Sequence, residues 1–209
     1  MAVFANRTEA GRALAQALRA YADRNDVTVL GLPRGGVPVA YEVARKLKLP
    51  LDVLVVRKLG APGQPELAMG AIASGGTTIL NPQFGNHDGV KRAIARETLE
   101  LARRERSYRG NRPPPDVAGR TVIVVDDGAA TGATMLAALS ALRKLRVAQI
   151  VAALPTAAAD TCVDLEREAD TVVCLSTPEP YGAVGRWYED FSQTSDEEVM
   201  ALLAAMAGD

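Results

Sequence analysis

The sequence predicts an α/β protein built on an open, doubly wound, mainly parallel sheet flanked by helices. Three observations carry this. Helical and strand-like patterns alternate along the chain. The strand-like runs are apolar throughout rather than at every second position, as expected of parallel strands covered on both faces. Several of those runs end in glycine, proline or paired acids, the residues found where such a sheet opens its carboxyl edge to a ligand.

Taken in order, Thr8 is a plausible N-cap for a first helix carrying Leu14, Leu18 and Tyr21 at helical spacing. Val27–Leu32 is a short apolar strand that breaks at Pro33-Arg34-Gly35-Gly36, and a second helix covers Val37–Lys48 before Pro50. Asp52–Arg57 forms the next strand, followed by a Gly- and Pro-rich loop through Pro65. Met69–Ala73 and Thr77–Leu80 suit two short strands around the Gly75-Gly76 turn. Asp88–Arg109 is a helix with an apolar stripe of Val90, Ala93, Ile94, Leu101 and Ala102; Glu100 and Arg104 stand in i,i+4 register on its wet side. Its interleaved glutamates favour a solvated face over a phosphate-binding one. Gly110 ends that helix, and Pro113-Pro114-Pro115 is a stiff connector.

Thr121–Val125 is the most apolar strand, with Met135, Leu136, Leu139 and Leu142 building the helix after it. Ala148–Leu154 and Thr171–Leu175 add two strands around a helix near 158–169. Ser195 and Glu198 form a capping box before Val199, Leu202, Leu203 and Met206. A chain of 209 residues suits one domain, with a helical insertion near 85–115 and a tail over 176–209.

Composition closes off other classes. Hydrophobic residues make up 48% and charged residues 23%, ordinary for a soluble globular protein. Lys+Arg 24 against Asp+Glu 25 leaves a net charge of −1, which argues against nonspecific nucleic-acid binding. Two cysteines, Cys162 and Cys174, make no disulfide framework, and a single histidine, His87, makes no multi-histidine metal site. His87 reads as an ordinary loop residue. No apolar run approaches the ~18 residues of a membrane span, and the first residues lack a signal-peptide pattern. A cytoplasmic protein is expected.

The chemistry concentrates in Val122-Ile123-Val124-Val125-Asp126-Asp127-Gly128-Ala129-Ala130-Thr131-Gly132-Ala133-Thr134. Four β-formers bring two carboxylates to the sheet edge, and a turn of small residues then opens a helix. The helix-start amides, its dipole and the Thr131 and Thr134 hydroxyls suit a phosphate. The acids suit sugar hydroxyls, or a magnesium ion held through water. Together they suit a ribose 5-phosphate. No P-loop and no Gly-x-Gly-x-x-Gly fingerprint is present.

This segment resembles the signature of the type I phosphoribosyltransferases. Leu32-Pro33-Arg34-Gly35-Gly36 is similar to their pyrophosphate loop, Arg57-Lys58 to the cation after the next strand, and Gly60–Glu66 to a short version of their mobile loop. The resemblance implies transfer of ribose 5-phosphate from phosphoribosyl pyrophosphate (PRPP), with magnesium, to a nucleobase-like nitrogenous acceptor. It implies that Asp126 and Asp127 bind the ribose hydroxyls, directly or through the metal, and that Ala129, Ala130, Thr131, Gly132, Ala133 and Thr134 hold the 5-phosphate. Arg34, the Gly35 and Gly36 amides, Arg57 and Lys58 would take charge from the leaving pyrophosphate. It also implies a non-proline cis or strained peptide at Pro33–Arg34. Relatives commonly form dimers, so a homodimer is one expected assembly.

One departure matters. Enzymes acting on 6-oxopurines commonly carry an acid where this chain has Ala130, so a hypoxanthine or guanine salvage role is discounted. The family covers its acceptor site with a variable hood, and Tyr181, Trp187, Tyr188 and Phe191 cluster in the tail of a chain that is 4% aromatic. Trp187 and Tyr188 are the candidates to stack on the acceptor; the alternative is that these rings pack the tail onto the sheet. The rival function is a non-catalytic protein of the same fold that binds PRPP or a nucleotide as a regulator.

Overall fold

The computed structural model describes residues 3–61, 64–80, 88–110 and 112–207. The strands β1 (Val27–Gly31), β2 (Leu51–Val53), β6 (Thr121–Val125), β7 (Gln149–Thr156) and β8 (Thr171–Ser176) form one sheet in the order β2-β1-β6-β7-β8. Every pairing in it is parallel, and β1 and β6 are buried along their whole length.

Because side chains alternate across a strand, each strand feeds two cores. Val27, Val29, Ile123, Val125, Val151 and Ala153 face α1 (Arg7–Ala17), α2 (Gly36–Leu47) and α6 (Asp196–Ala207). Leu30, Val122, Val124, Ile150, Ala152 and Leu154 face α4 (Ala133–Lys144) and α5 (Ala159–Glu166). The uniformly apolar strands are thus covered on both faces, as their composition requires.

The second sheet is antiparallel, with β4 (Gln64–Ala73) between β3 (Val56–Ala61) and β5 (Thr77–Leu80). Here the structure corrects the sequence reading: Asp52–Arg57 is not one strand. The chain leaves the parallel sheet at Leu54 and Val55. The Leu54 amide still donates to the Gly31 carbonyl (3.0 Å), while Val55 already exchanges bonds with Ser74, its amide to the hydroxyl and its carbonyl to the Ser74 amide (both 2.9 Å). Much of the expected loop is therefore a hairpin, with register shifts at Leu59–Ala61.

Two helix expectations also shift. The N-cap of α1 is Asn6, whose side chain accepts from the Glu9 amide, and Tyr21 lies in a separate 3-10 turn. In α3 (Asp88–Arg109) Ala102 is exposed, whereas Glu97, Tyr108 and Arg109 are buried. Arg109 ties α3 to the edge strand, donating to Asp52 (2.9 Å), Glu105 (2.8 Å) and the Val53 carbonyl. The Glu100–Arg104 pair forms at 3.1 Å, and Ser195 caps α6 through the Glu198 amide. Cys162 and Cys174 are free thiols. His87 lies outside the described residues. Among those described, no helix is long and apolar enough to cross a membrane.

Candidate active site

Strand β6 ends at Val125 and places Asp126 and Asp127 at the carboxyl edge of the sheet, next to the end of β1. The chain then turns through Gly128, where a Cβ would stand 2.6 Å from Val184 and 3.1 Å from the Thr156 carbonyl. Gly132, with φ of +65°, sets the last step before α4. Three bonds hold the turn from beneath. The Ala129 amide donates to Thr156 (3.1 Å), the Ala158 amide to the Ala129 carbonyl (3.0 Å), and the Thr161 hydroxyl to the Ala130 carbonyl (2.7 Å). No side chain caps the start of α4, and a helix start without a cap favours an anion.

A cleft forms over this turn, lined by Lys58, Asp126, Gly128 and the run from Ala129 to Met135. Lys58 reaches it from β3, so the antiparallel sheet supplies the cation. Sequence-predicted residues Lys58, Asp126, Ala129, Ala130, Thr131, Gly132, Ala133 and Thr134 therefore meet in one place.

The Pro33–Gly36 loop adjoins it. The Pro33–Arg34 peptide is cis, and the loop is fixed by the Leu32 amide on the Val125 carbonyl (2.9 Å) and the Gly36 amide on the Leu32 carbonyl (3.0 Å). Only glycine fits here: a Cβ on Gly35 would stand 2.0 Å from Asp127 Oδ2, and one on Gly36 2.6 Å from the Val125 carbonyl oxygen. Arg34 stands within electrostatic reach of Tyr108 and of Glu197 at the start of α6.

Burial pushes the Asp126 carboxyl well above the usual carboxylate range, and the Asp127 charge adds to it, against the Asp127 amide (2.9 Å) and Arg7. Burial also raises Asp127, with Arg7 opposing. Burial is thus the main reason both carboxyls resist ionisation, and only Asp127 has a cation, Arg7, in direct contact.

Other predicted residues lie elsewhere. Arg57 and Lys58 point to opposite sides of β3, and Arg57 donates to Glu97 on α3 at 3.0 and 2.5 Å. Burial pushes the Glu97 carboxyl up, but Arg57 and Arg96 outweigh it and hold it below its ordinary value. Tyr188 is buried with Phe4, its ring 5.7 Å from Phe4 and 5.2 Å from Phe191, and its hydroxyl donates to the Asp127 carbonyl (2.5 Å). Burial drives that hydroxyl's pKa upward, so it stays a donor. Trp187 donates from Nε1 to the Tyr181 carbonyl (3.1 Å) and packs against the same aromatic cluster. These rings pack the tail against the underside of the acid pair.

Arg7 was invisible from the sequence. It sits at the start of α1 yet donates from Nε to Asp127 (2.8 Å), 120 residues away. No local periodicity or motif marks such a contact.

The carboxyl-edge acids, the small-residue turn onto a helix and the adjoining glycine loop define a class, the type I phosphoribosyltransferase fold. The family model for the phosphoribosyl transferase domain matches residues 4–185, and the chain belongs to that family. Two Mycobacterium tuberculosis proteins, provisionally named phosphoribosyl transferases, are 48% identical to it over 97% of its length. The chain spans about half the length of these curated relatives, 47%. A Thermus thermophilus protein of known structure is 44% identical, superposes with a TM-score of 0.88, and matches over 99% of both chains. An Aquifex aeolicus protein shares the fold at 11% identity, with a TM-score of 0.52 over 82% of this chain and 73% of its own.

Proposed function

We propose that this chain transfers ribose 5-phosphate from PRPP to a nitrogenous acceptor and releases pyrophosphate. The observation that carries the proposal is the convergence of Lys58, Asp126 and the Gly128–Thr134 turn on one cleft. In this reading the turn and the α4 amides hold the 5-phosphate. Asp126 accepts from the ribose hydroxyls. Lys58, with the Gly35 and Gly36 amides and Arg34 on the neighbouring loop, takes charge from the departing pyrophosphate. Arg57 supports the cation strand through Glu97 and does not itself meet the substrate.

Bond breaking leaves a cationic, oxocarbenium-like sugar beside the acid pair. The Asp126 carboxylate, which lines the cleft with no cation bonded to it, is stabilised as that cation develops, so it favours the transition state over the ground state. Among the described residues no group of three or more His, Cys, Asp or Glu side chains is arranged to hold a metal ion. Asp126, on the cleft wall, instead fits a magnesium ion that arrives on the substrate, which would neutralise pyrophosphate charge when bound. Ala130 moves no proton, so the acceptor must either need no general base at that position or draw one from elsewhere. This favours an acceptor other than a 6-oxopurine.

Titration calorimetry of PRPP with magnesium into wild type and an Asp126→Asn/Asp127→Asn variant tests the site. Saturable binding that the variant loses is the expected result; no binding by folded wild type would remove the proposal. Pyrophosphate release across a panel of nucleobases then separates the enzyme from a regulator, which would bind PRPP and release none.

A further inference from the structure

The two acids at the end of β6 are not equivalent. Asp126 lines the cleft. Asp127 instead accepts from Arg7 Nε at 2.8 Å, with the two side chains only 12% and 13% exposed. The same Asp127 oxygen is the atom that Gly35 makes room for, and Arg7 Nε lies 3.2 Å from where a Gly35 Cβ would stand. Arg7 also reaches the other way. Its Nη1 donates to the Ser192 carbonyl at 2.7 Å, and its guanidinium lies over the Phe191 ring, 4.0 Å from the centroid. A planar guanidinium engaged at once by a carboxylate, a carbonyl and a ring face has one orientation. Arg7 therefore stands where three parts of the molecule meet: the second acid, the Pro33–Gly36 loop and the tail.

We propose that Arg7 is a positioning residue for the ribose-phosphate site. By holding Asp127 against the Pro33–Gly36 loop and tying it to the Phe191–Ser192 segment, it divides the work of the two acids and leaves Asp126 as the one that meets the sugar. Arg7 itself touches no substrate in this scheme. Its effect passes through Asp127, which shapes the glycine loop, and through the Phe191–Ser192 segment that its guanidinium holds. The inference rests on the PRPP reading above.

The test is a double-mutant cycle on PRPP affinity. Magnesium PRPP is titrated into wild type, Arg7→Ala, Asp127→Asn and the double variant, with thermal melts of each. Arg7→Ala and Asp127→Asn should each weaken binding about tenfold, and the double variant should be no weaker than the worse single one, because both remove one interaction. Additive losses, near a hundredfold in the double variant, would overturn the inference, as would wild-type affinity in Arg7→Ala. An Arg7 that merely braces the fold would lower the melting temperature and leave affinity unmoved. If Arg7→Ala does not fold, Arg7→Lys replaces it in the cycle, since an ammonium keeps the charge but does not hold the carboxylate and the Ser192 carbonyl in one plane. Wild-type affinity in Arg7→Lys would count against the proposal in the same way. Failure of wild type to bind PRPP would overturn the functional reading itself, a result distinct from intact binding that ignores Arg7.

Discussion

The turn after β6 and the tail beneath it are built in opposite ways. The turn is contiguous: Asp126 through Thr134 follow one another, and each owes its place to a strand end, a tight backbone or a helix start. The tail segment is assembled from afar. Phe4 pairs with Tyr188, and Arg7 with Asp127 and Ser192, so this region has no meaning until the chain has folded. The comparison teaches that the cleft's turn is a local motif, while its neighbours, Lys58 and Arg7 among them, come from long-range contacts. Substitutions of side chains in the turn should change binding more than stability, and substitutions in the tail the reverse, while Gly132, whose backbone shapes the turn, should move both.

The largest expected departure is Asp126→Asn. It should abolish PRPP binding yet raise the melting temperature of the free protein at neutral pH. The folded carboxyl is held above its unfolded value, so between the two values the unfolded chain binds fewer protons and stability falls as pH rises. Stability from this group is full below the ordinary carboxylate range and is lost through the raised one; Asp127, also raised, adds to the trend, and Arg7 opposes it. Removing the Asp126 charge should raise Tm by about 2–4 °C for each kcal/mol regained, and flatten its decline between acid and neutral pH. A lower Tm at pH 7 would show that Asp126 is structural.

Lys58→Ala comes next. Loss of a cation facing the leaving group should lower kcat/KM for PRPP by about a hundredfold, close to 2.7 kcal/mol, with little change in melting temperature. Trp187→Ala sharpens the contrast from the other side. A half-buried indole packed on the Phe4–Tyr188 cluster should contribute about 2 kcal/mol of stability, below the cost of emptying a fully buried site. Acceptor KM should stay within about twofold; a large rise in KM with unchanged stability would restore Trp187 as a stacking platform.

Gly132→Ala tests the turn itself. A side chain at φ +65° and a Cβ 2.6 Å from Thr161 should cost about 1–3 kcal/mol by chemical denaturation and weaken phosphate binding in parallel. The smallest effect belongs to the joint between the regions. Tyr188→Phe removes one hydrogen bond to the Asp127 carbonyl and should cost about 1 kcal/mol, with PRPP affinity shifted only slightly.

Local pattern was enough to read the parallel sheet, because uniformly apolar strands separated by helices admit few other arrangements. It was enough for the acids and the small-residue turn, since those residues act through backbone geometry that neighbours dictate, and the cis peptide at Pro33–Arg34 agrees with the family resemblance. The β3–β4 pairing was hidden because Gly60 and Pro65 lie within it, residues that resemble a loop until a partner strand pairs with them; Pro62 and Gly63 lie outside the described residues. Arg57 and Lys58 are adjacent cations that the sequence does not distinguish; alternation along β3 sends one to Glu97 and the other to the cleft.

By itself, then, the sequence determined the sheet, its carboxyl-edge motif and the family to which the chain belongs, because periodicity, turn chemistry and strand-to-helix junctions are short-range properties. Only the tertiary structure decided that Arg7 guards Asp127, that Tyr188 braces the turn from beneath, and that Lys58 rather than Arg57 serves the cleft. Each of those depends on residues distant in the chain being brought within a few ångströms, and on charge or hydrogen-bonding capacity that burial makes costly to leave unpaired.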